Sequence, residues 1–349
     1  MRRPSLNWLL VFIPIAAVAD LLVHQPVLVF VSSCLAIVPL AGLIGKATDE
    51  LAIRAGARVG GLLNATFGNV TELIIAFLLV QAGEVEVVKA SLIGSILGNL
   101  VLVLGASYLV GGIRFKEQRY SARSAGIHAS SLLLAVSGLV MPALFVWLAN
   151  DTAVQREVIS LTVAGVLIVL YLAALVFTLI THTHLFGVRQ TEEKAEWPMW
   201  LALLVLLAAA LVVGIMSEFL VDSLEPTVAA LGLSRVFVDL FVVAIIGNAA
   251  EHASAVLFAL RNQMDVAIEI AFGSSTQIAL LLAPLIVFIS LAIGRPMDFV
   301  FSGYEVVAVT LATIIVSVMS RDGHSNWLEG LQLLGVYIIL GVSLFYVGT

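Results

Sequence analysis

Charge is what this 349-residue chain has least of: Asp, Glu, Lys and Arg together make up 11% of it. A typical soluble domain carries about 25%. With 61% hydrophobic residues and a mean hydropathy of +1.12, the chain has more apolar surface than a water-soluble fold can hide, and lipid must be its solvent. Cysteine is nearly absent. Cys34 stands alone in an apolar stretch, which excludes an intrachain disulfide and a thiolate metal site, and it reads as a small buried hydrophobe. Neither a Gly-x-Ser-x-Gly elbow nor a His-Glu-x-x-His motif occurs, so an intramembrane hydrolase, and enzyme chemistry in general, finds no support. The net charge of −6 comes without a basic patch, which argues against a nucleic-acid partner. The short alternation of apolar and polar residues that marks a membrane barrel is missing too.

What is present is a series of apolar runs, each near the ~20 residues a helix needs to cross ~30 Å of hydrocarbon. Eleven are read, near 6–23, 27–45, 60–81, 87–111, 125–148, 158–181, 198–221, 236–260, 266–291, 302–319 and 328–347. The expected class is an all-α integral membrane protein with eleven transmembrane helices. Arg2, Arg3 and the run to Ala17-Val18-Ala19 resemble a signal peptide, but the run continues through Leu21, Leu22 and Val23, so a retained first helix is expected. Placing the N-terminus inside puts 13 Lys and Arg in cytoplasmic segments and 4 (Lys89, Arg156, Arg235, Arg295) in external ones. That bias predicts a cytoplasmic N-terminus and an external C-terminus.

Two segments repeat. Asn64-Ala-Thr-Phe-Gly-Asn-Val-Thr-Glu72 returns as Val243-Ala-Ile-Ile-Gly-Asn-Ala-Ala-Glu251, 179 residues later, and the same offset carries Gly94-Ser95 onto Gly273-Ser274. Nine positions between 64 and 99 are identical at this offset, and five of them are Gly, Asn, Glu or Ser, which are costly or rare in lipid. The repeat unit is five helices, an odd number, so the second copy enters the membrane from the opposite side, as in many secondary transporters. The expected organisation is an extra helix at 1–26, a first repeat at 27–183, a short charged cytoplasmic linker at 184–197 and an inverted second repeat at 198–349.

Glu72 and Glu251 fall near the middle of their runs. An acidic side chain at that depth costs roughly 3 kcal/mol on insertion scales and marks an ion path by default. A single glutamate could equally be a hydrogen-bonded joint between helices; two in the same Gly-Asn-x-x-Glu setting favour the ion path. Glycine there permits local unwinding or close helix approach, and asparagine adds an amide oxygen one turn from the acid. Carboxylates, amides and freed carbonyls form an all-oxygen site for a hard cation such as calcium, and no cysteine or methionine cluster suggests a soft one. Ser91, Ser95 and Asn99 join from the first half, and Ser274, Ser275, Thr276 and Gln277 from the second. Back-bonding to the helix would account for the hydroxyls, but Gln277 needs a real partner. His252 is read as a helix contact, His128 as a packing residue, Glu84, Glu86, Asp265 and Glu269 as solvated charges near helix ends, and Lys89 as snorkelling outward.

These motifs carry a resemblance. Gly61-Leu-Leu-Asn-Ala-Thr-Phe-Gly-Asn-Val-Thr-Glu-Leu-Ile74 with Lys89-Ala-Ser-Leu-Ile-Gly-Ser-Ile-Leu-Gly-Asn99, and Gly247-Asn-Ala-Ala-Glu-His252 with Gly273-Ser-Ser-Thr-Gln277, resemble the two signatures of the cation/proton exchanger (CAX) family of the calcium:cation antiporter superfamily. The resemblance implies a calcium/proton antiporter with one plus ten helices, working by alternating access. It implies that Glu72 and Glu251 hold either cation or protons, that Asn69, Asn248, Ser95, Ser274 and Gln277 line the site, and that no cofactor is needed beyond the transported Ca²⁺ and H⁺. Related sodium/calcium exchangers carry Ser/Thr-x-Pro-Glu; here Val70-Thr71 and Ala249-Ala250 precede the acids, which favours protons. A sodium-coupled exchanger and, from another class, a passive cation channel are the alternatives. The missing N-terminal extension and minimal linker imply a prokaryotic plasma membrane. A homo-oligomer in the bilayer is compatible with this reading.

Overall fold

The computed structural model describes residues 6–149, 152–182 and 195–346. In lipid every backbone N–H and C=O must be satisfied within the protein, and long apolar runs with few breakers do this as helices. Helix is found at every one of the eleven apolar stretches. Leu6–Val11, α1 (Phe12–Val18) and the wider-wound Ala19–Val23 form one short rod. Then come α2 (Pro26–Phe67), α3 (Val70–Ala82), α4 (Val85–Leu97) running through Gly98–Val103 into α5 (Leu104–Phe115), α6 (Ala122–Leu148) and α7 (Ala153–Val176). The second half has α8 (Met199–Leu231), α9 (Arg235–Phe237) leading through Val238–Val243 into α10 (Ala244–Gly247), α11 (Ala249–Ala259), α12 (Met264–Gln277) running through Ile278–Leu282 into α13 (Ala283–Ala292), α14 (Gly303–Met319) and α15 (Trp327–Phe345).

Among the described residues seven continuous helices are long and apolar enough to cross a membrane: 26–56, 85–115, 122–148, 153–181, 199–231, 264–292 and 327–345. Arg235–Gly247 and Ala249–Ala259 pass the same test together but are bent by 63°. Asn7–Val23, Val70–Ala82 and Gly303–Met319 are shorter apolar helices. Outward faces are apolar, with Leu207, Leu211 and Ile339 more than 60% exposed, as a lipid-facing surface requires.

The expected stretches need correcting in places. The stretches expected at 27–45 and 198–221 lie in longer helices, α2 and α8, which pack along one another. α2 continues past Gly56, whose φ of 82° and ψ of 167° are open to glycine and kink the helix there. The stretch at 60–81 is not one helix but breaks at Gly68-Asn69. A two-stranded ribbon also forms outside the long helices, β1 (Glu117–Arg119) pairing antiparallel with β2 (His324–Asn326).

Lys89 does not snorkel. It is 5% exposed and donates to Asp298 Oδ1 at 2.6 Å, Glu86 Oε1 at 2.9 Å and the Val300 carbonyl at 3.2 Å. The acids read as solvated charges also have partners: Glu84 with Arg235, Asp265 Oδ1 accepting from Ser121 N at 2.7 Å, and Glu269 with His128 at 3.0 Å. These contacts sort into two ends. The ribbon, Asp265 and Asn262, which accepts from Gln118 Nε2 at 2.9 Å, gather at the end where α5 finishes. Arg235, Glu84, Lys89 and Asp298 gather where α4 begins. Most of the segment read as the linker, residues 184–194, lies outside the described residues. Its tail is tied to α2, with Lys46 Nζ 3.3 Å from Glu196, Glu50 accepting from Trp197 N at 3.0 Å, and Arg54 donating to the Trp197 carbonyl.

Candidate functional site

The two motifs break their helices in the same way. The residue that leaves the helix is asparagine, Asn69 at φ −108°, ψ 28° and Asn248 at φ −100°, ψ 10°, in the sparsely populated region between helix and strand. Gly68 stays helical, at φ −56° and ψ −41°. Glycine therefore serves close approach here rather than unwinding: a Cβ on Gly247 would sit 3.3 Å from Glu72 Cγ. After each break a new helix starts, and its third residue is the glutamate, Glu72 in α3 and Glu251 in α11. Each acid thus sits in the first turn of a half-helix, where the unpaired N–H groups and the positive end of the helix dipole favour negative charge.

A single hydrogen-bonded network joins the halves. Asn69 Nδ2 donates to Gln277 Oε1 at 2.6 Å, and Asn69 Oδ1 accepts from Ser274 Oγ at 3.2 Å. Asn248 Nδ2 donates to Ser95 Oγ at 2.9 Å and to the Ala244 carbonyl at 2.9 Å. Asn99 links the two sets, donating to Ser274 Oγ at 3.0 Å and Asn248 Oδ1 at 3.4 Å while its own Oδ1 lies 3.1 Å from His252 Nε2. Five expected site residues, Asn69, Asn248, Ser95, Ser274 and Gln277, therefore meet in one network, and Gln277 has the partner it needed. His252 makes the helix contact read from the sequence.

Glu72 borders this network without joining it. It is 8% exposed, and neither carboxylate oxygen has a hydrogen-bond partner among the described residues. It lines a cavity of about 20 Å³, room for a single water-sized or ion-sized guest, with Ser91, Ser95, Ala244 and Gly247 in the wall. Glu251 is half-buried, its Oε2 likewise buried and without a partner among the described residues, and it is not part of that wall. Gly247, four residues before Glu251, packs against the Glu72 side chain, so the two motifs meet here. Ser91 and Ser275 turn back onto their own helices, donating to the Val88 carbonyl at 2.9 Å and the Ala271 carbonyl at 2.8 Å.

Asn99, a polar candidate outside the expected ligand set, is fully buried and the hub of the network. A signal was there: Gly98-Asn99 is another Gly-Asn pair, like 68–69 and 247–248, and it opens a wider-wound segment, Gly98–Val103. Such insertions often mark functional sites. In the second half Ile278–Leu282 has the same winding, directly after Gln277.

A donor set of two carboxylates, amide oxygens and hydroxyls suits a hard cation as cargo. Among the described residues no group of three or more His, Cys, Asp or Glu is placed to hold a metal ion, so a site here would draw on amide and hydroxyl oxygens beside the acids.

Comparison with known proteins agrees with the motifs. The model of the family described as sodium/calcium exchanger protein matches residues 25–180 and 201–346. A protein named Ca(2+)/H(+) antiporter from Aphanothece halophytica is 41% identical, over 97% of this chain and 95% of its own. One named Ca(2+)/H(+) antiporter ChaA from Bacillus subtilis is 40% identical, over 95% of this chain and 96% of its own. The solved structure of native YfkE superposes with a TM-score of 0.86 at 36% identity, covering 97% of this chain and 99% of that one. The chain belongs to the sodium/calcium exchanger protein family, and the resemblance to its cation/proton exchangers is borne out by these relatives.

Proposed function

We propose that this chain exchanges Ca²⁺ for H⁺ across a membrane by alternating access, with Glu72 and Glu251 holding either the cation or protons. The observation that carries the reading is the enclosed Glu72 carboxylate, both oxygens buried and unpartnered beside a network contributed by both halves. Two relatives at 40–41% identity over nearly the whole chain are named as Ca(2+)/H(+) antiporters, which supports the choice of ions.

The coupling follows from the geometry. Two carboxylates this deep in a low-dielectric interior cannot both stay charged without a compensating cation. A divalent cation neutralises the pair, or protons do, and the two cannot be present together. Each half-helix N-terminus and each amide holds a carboxylate or the ion in place, while Gly247 lets the second half close against Glu72. In this reading the fold has eleven spans in two inverted five-helix repeats, the N-terminus is cytoplasmic, and the membrane is a prokaryotic plasma membrane. The ribbon, Asp265 and Trp197 ends then face the cytoplasm, and the Arg235 end faces out.

The test is calcium uptake into proteoliposomes with pH and sodium gradients imposed separately. Uptake should follow the pH gradient and fall about 100-fold in Glu72→Gln and Glu251→Gln. Uptake driven by sodium alone would select a sodium-coupled exchanger, and dissipation of a calcium gradient without counter-ion movement would select a channel.

A further inference from the structure

The reaction above uses Glu72 and Glu251 and leaves another buried carboxylate without a role. Asp239 is 4% exposed. Its Oδ2 lies 3.8 Å from Arg235 Nε, and its Oδ1 is buried with no hydrogen-bond partner among the described residues. It sits in the segment Val238–Val243, in register i, i+4, i+8 with Val243 and Gly247, both of which wall the Glu72 cavity. The helix face that lines the cavity therefore continues one turn outward of Val243 to Asp239, about two turns from Gly247. The helices are tight at that level, since a Cβ on Gly94 would collide with the Leu240 carbonyl.

The charged groups that face Asp239 are Arg235 on its own helix, Glu84 from the turn after α3 and Glu305 in the first turn of α14. Arg235 and Glu84 pair with each other, and their side chains are 41% and 30% exposed. A series results: water at the Arg235–Glu84 pair, then Asp239, then the wall of the Glu72 cavity. A divalent cation is a poor guest at Asp239. Calcium takes six to eight oxygens, the guanidinium repels it, and no group of three candidate metal ligands is assembled there among the described residues. A proton needs one oxygen, and Oδ1 is that oxygen.

We propose that Asp239 is a proton-relay residue on the exchange path, standing between the Arg235 end and Glu72; the inference rests on the proton-coupled reading above. A hydronium ion at the Arg235 end gives its proton to Asp239 Oδ1, forming an O–H bond and leaving water. The proton then passes to the Glu72 carboxylate as the cation departs, and Asp239 returns to a carboxylate held beside Arg235. No charge is created or lost beyond the proton that moves.

The full chain in proteoliposomes tests this with two fluxes. One is calcium uptake driven by a pH gradient, with proton movement read by a trapped pH dye. The other is calcium–calcium exchange at symmetric pH, which requires no proton transfer. Asp239→Asn should lower proton-coupled uptake about tenfold or more and change its pH profile, while calcium–calcium exchange stays within about twofold of wild type. Asp239→Glu should recover most of the coupled flux. Equal loss of both fluxes marks a structural role and overturns the relay, as does coupled uptake that Asp239→Asn leaves unchanged. If wild type itself shows no proton-driven uptake, the exchange reading fails and the relay with it.

Discussion

Glu72 is enclosed, walled by Ser91, Ser95, Ala244 and Gly247, whereas Glu251, its counterpart 179 residues on, is half-buried and stands outside that wall. The surroundings differ in the same sense. Gly94 in the first half is pressed against Leu240 and Ala244, while nothing lies within 4 Å of a Cβ placed on Gly273, its equivalent in the second. The helix contact is closed at Gly94 and open at Gly273. Identical local chemistry can therefore sit in two states of packing at once. Under the proposed mechanism this is what a carrier needs, because access is set by how closely helices approach and not by which residues they carry.

The largest expected effect tests whether the two acids are equal partners despite that difference. Glu72→Gln and Glu251→Gln should each lower calcium uptake by about 100-fold. Residual uptake in one variant alone would make the comparison functional, with a single acid holding the cation. Next comes the hub that joins the halves. Asn99→Ala leaves Ser274, Asn248 and His252 each short of a partner and should cost about 1–3 kcal/mol, read as a lower melting temperature with weaker calcium binding. The equivalent glycines sharpen the contrast directly. Gly94→Ala forces a Cβ onto the Leu240 backbone and should destabilise by about 1–3 kcal/mol. Gly273→Ala meets open space and should stay within about 0.5 kcal/mol of wild type, so equal shifts in a thermal assay would erase the asymmetry. The smallest expected effect is in pH. Carboxylates bind calcium only when deprotonated, so acidifying the side from which calcium enters should raise the apparent KM with little change in maximal rate. A KM that does not move between neutral and acid pH would separate proton binding from the calcium site.

Much of this was legible in the chain. Hydropathy alone locates helix at all eleven stretches, and the repeated Gly-Asn-x-x-Glu marks both acids because such residues are expensive in lipid. The ligand set of Asn69, Asn248, Ser95, Ser274 and Gln277 is what the resemblance implied, and these residues share one network. Other features could not be read. Lys89 looked like a snorkelling side chain because its partner Asp298 is 209 residues away. Asn99 lacks an equivalent amide at the 179-residue offset, where Ile278 stands, so the repeat gave it no weight. The role of glycine was left between unwinding and close approach, and only the distance from Gly247 to Glu72 decides it.

By itself, then, the sequence determined the solvent, the helical class and the identity of the two acids. These depend on residue chemistry and on periodicity within one stretch of chain. The tertiary structure alone decided that Glu72 lines the cavity and Glu251 does not, that Asn99 joins the halves, and that Asp239 continues the cavity-lining face outward. Each of these rests on the separation of helices that meet from distant parts of the chain. No local pattern encodes that distance.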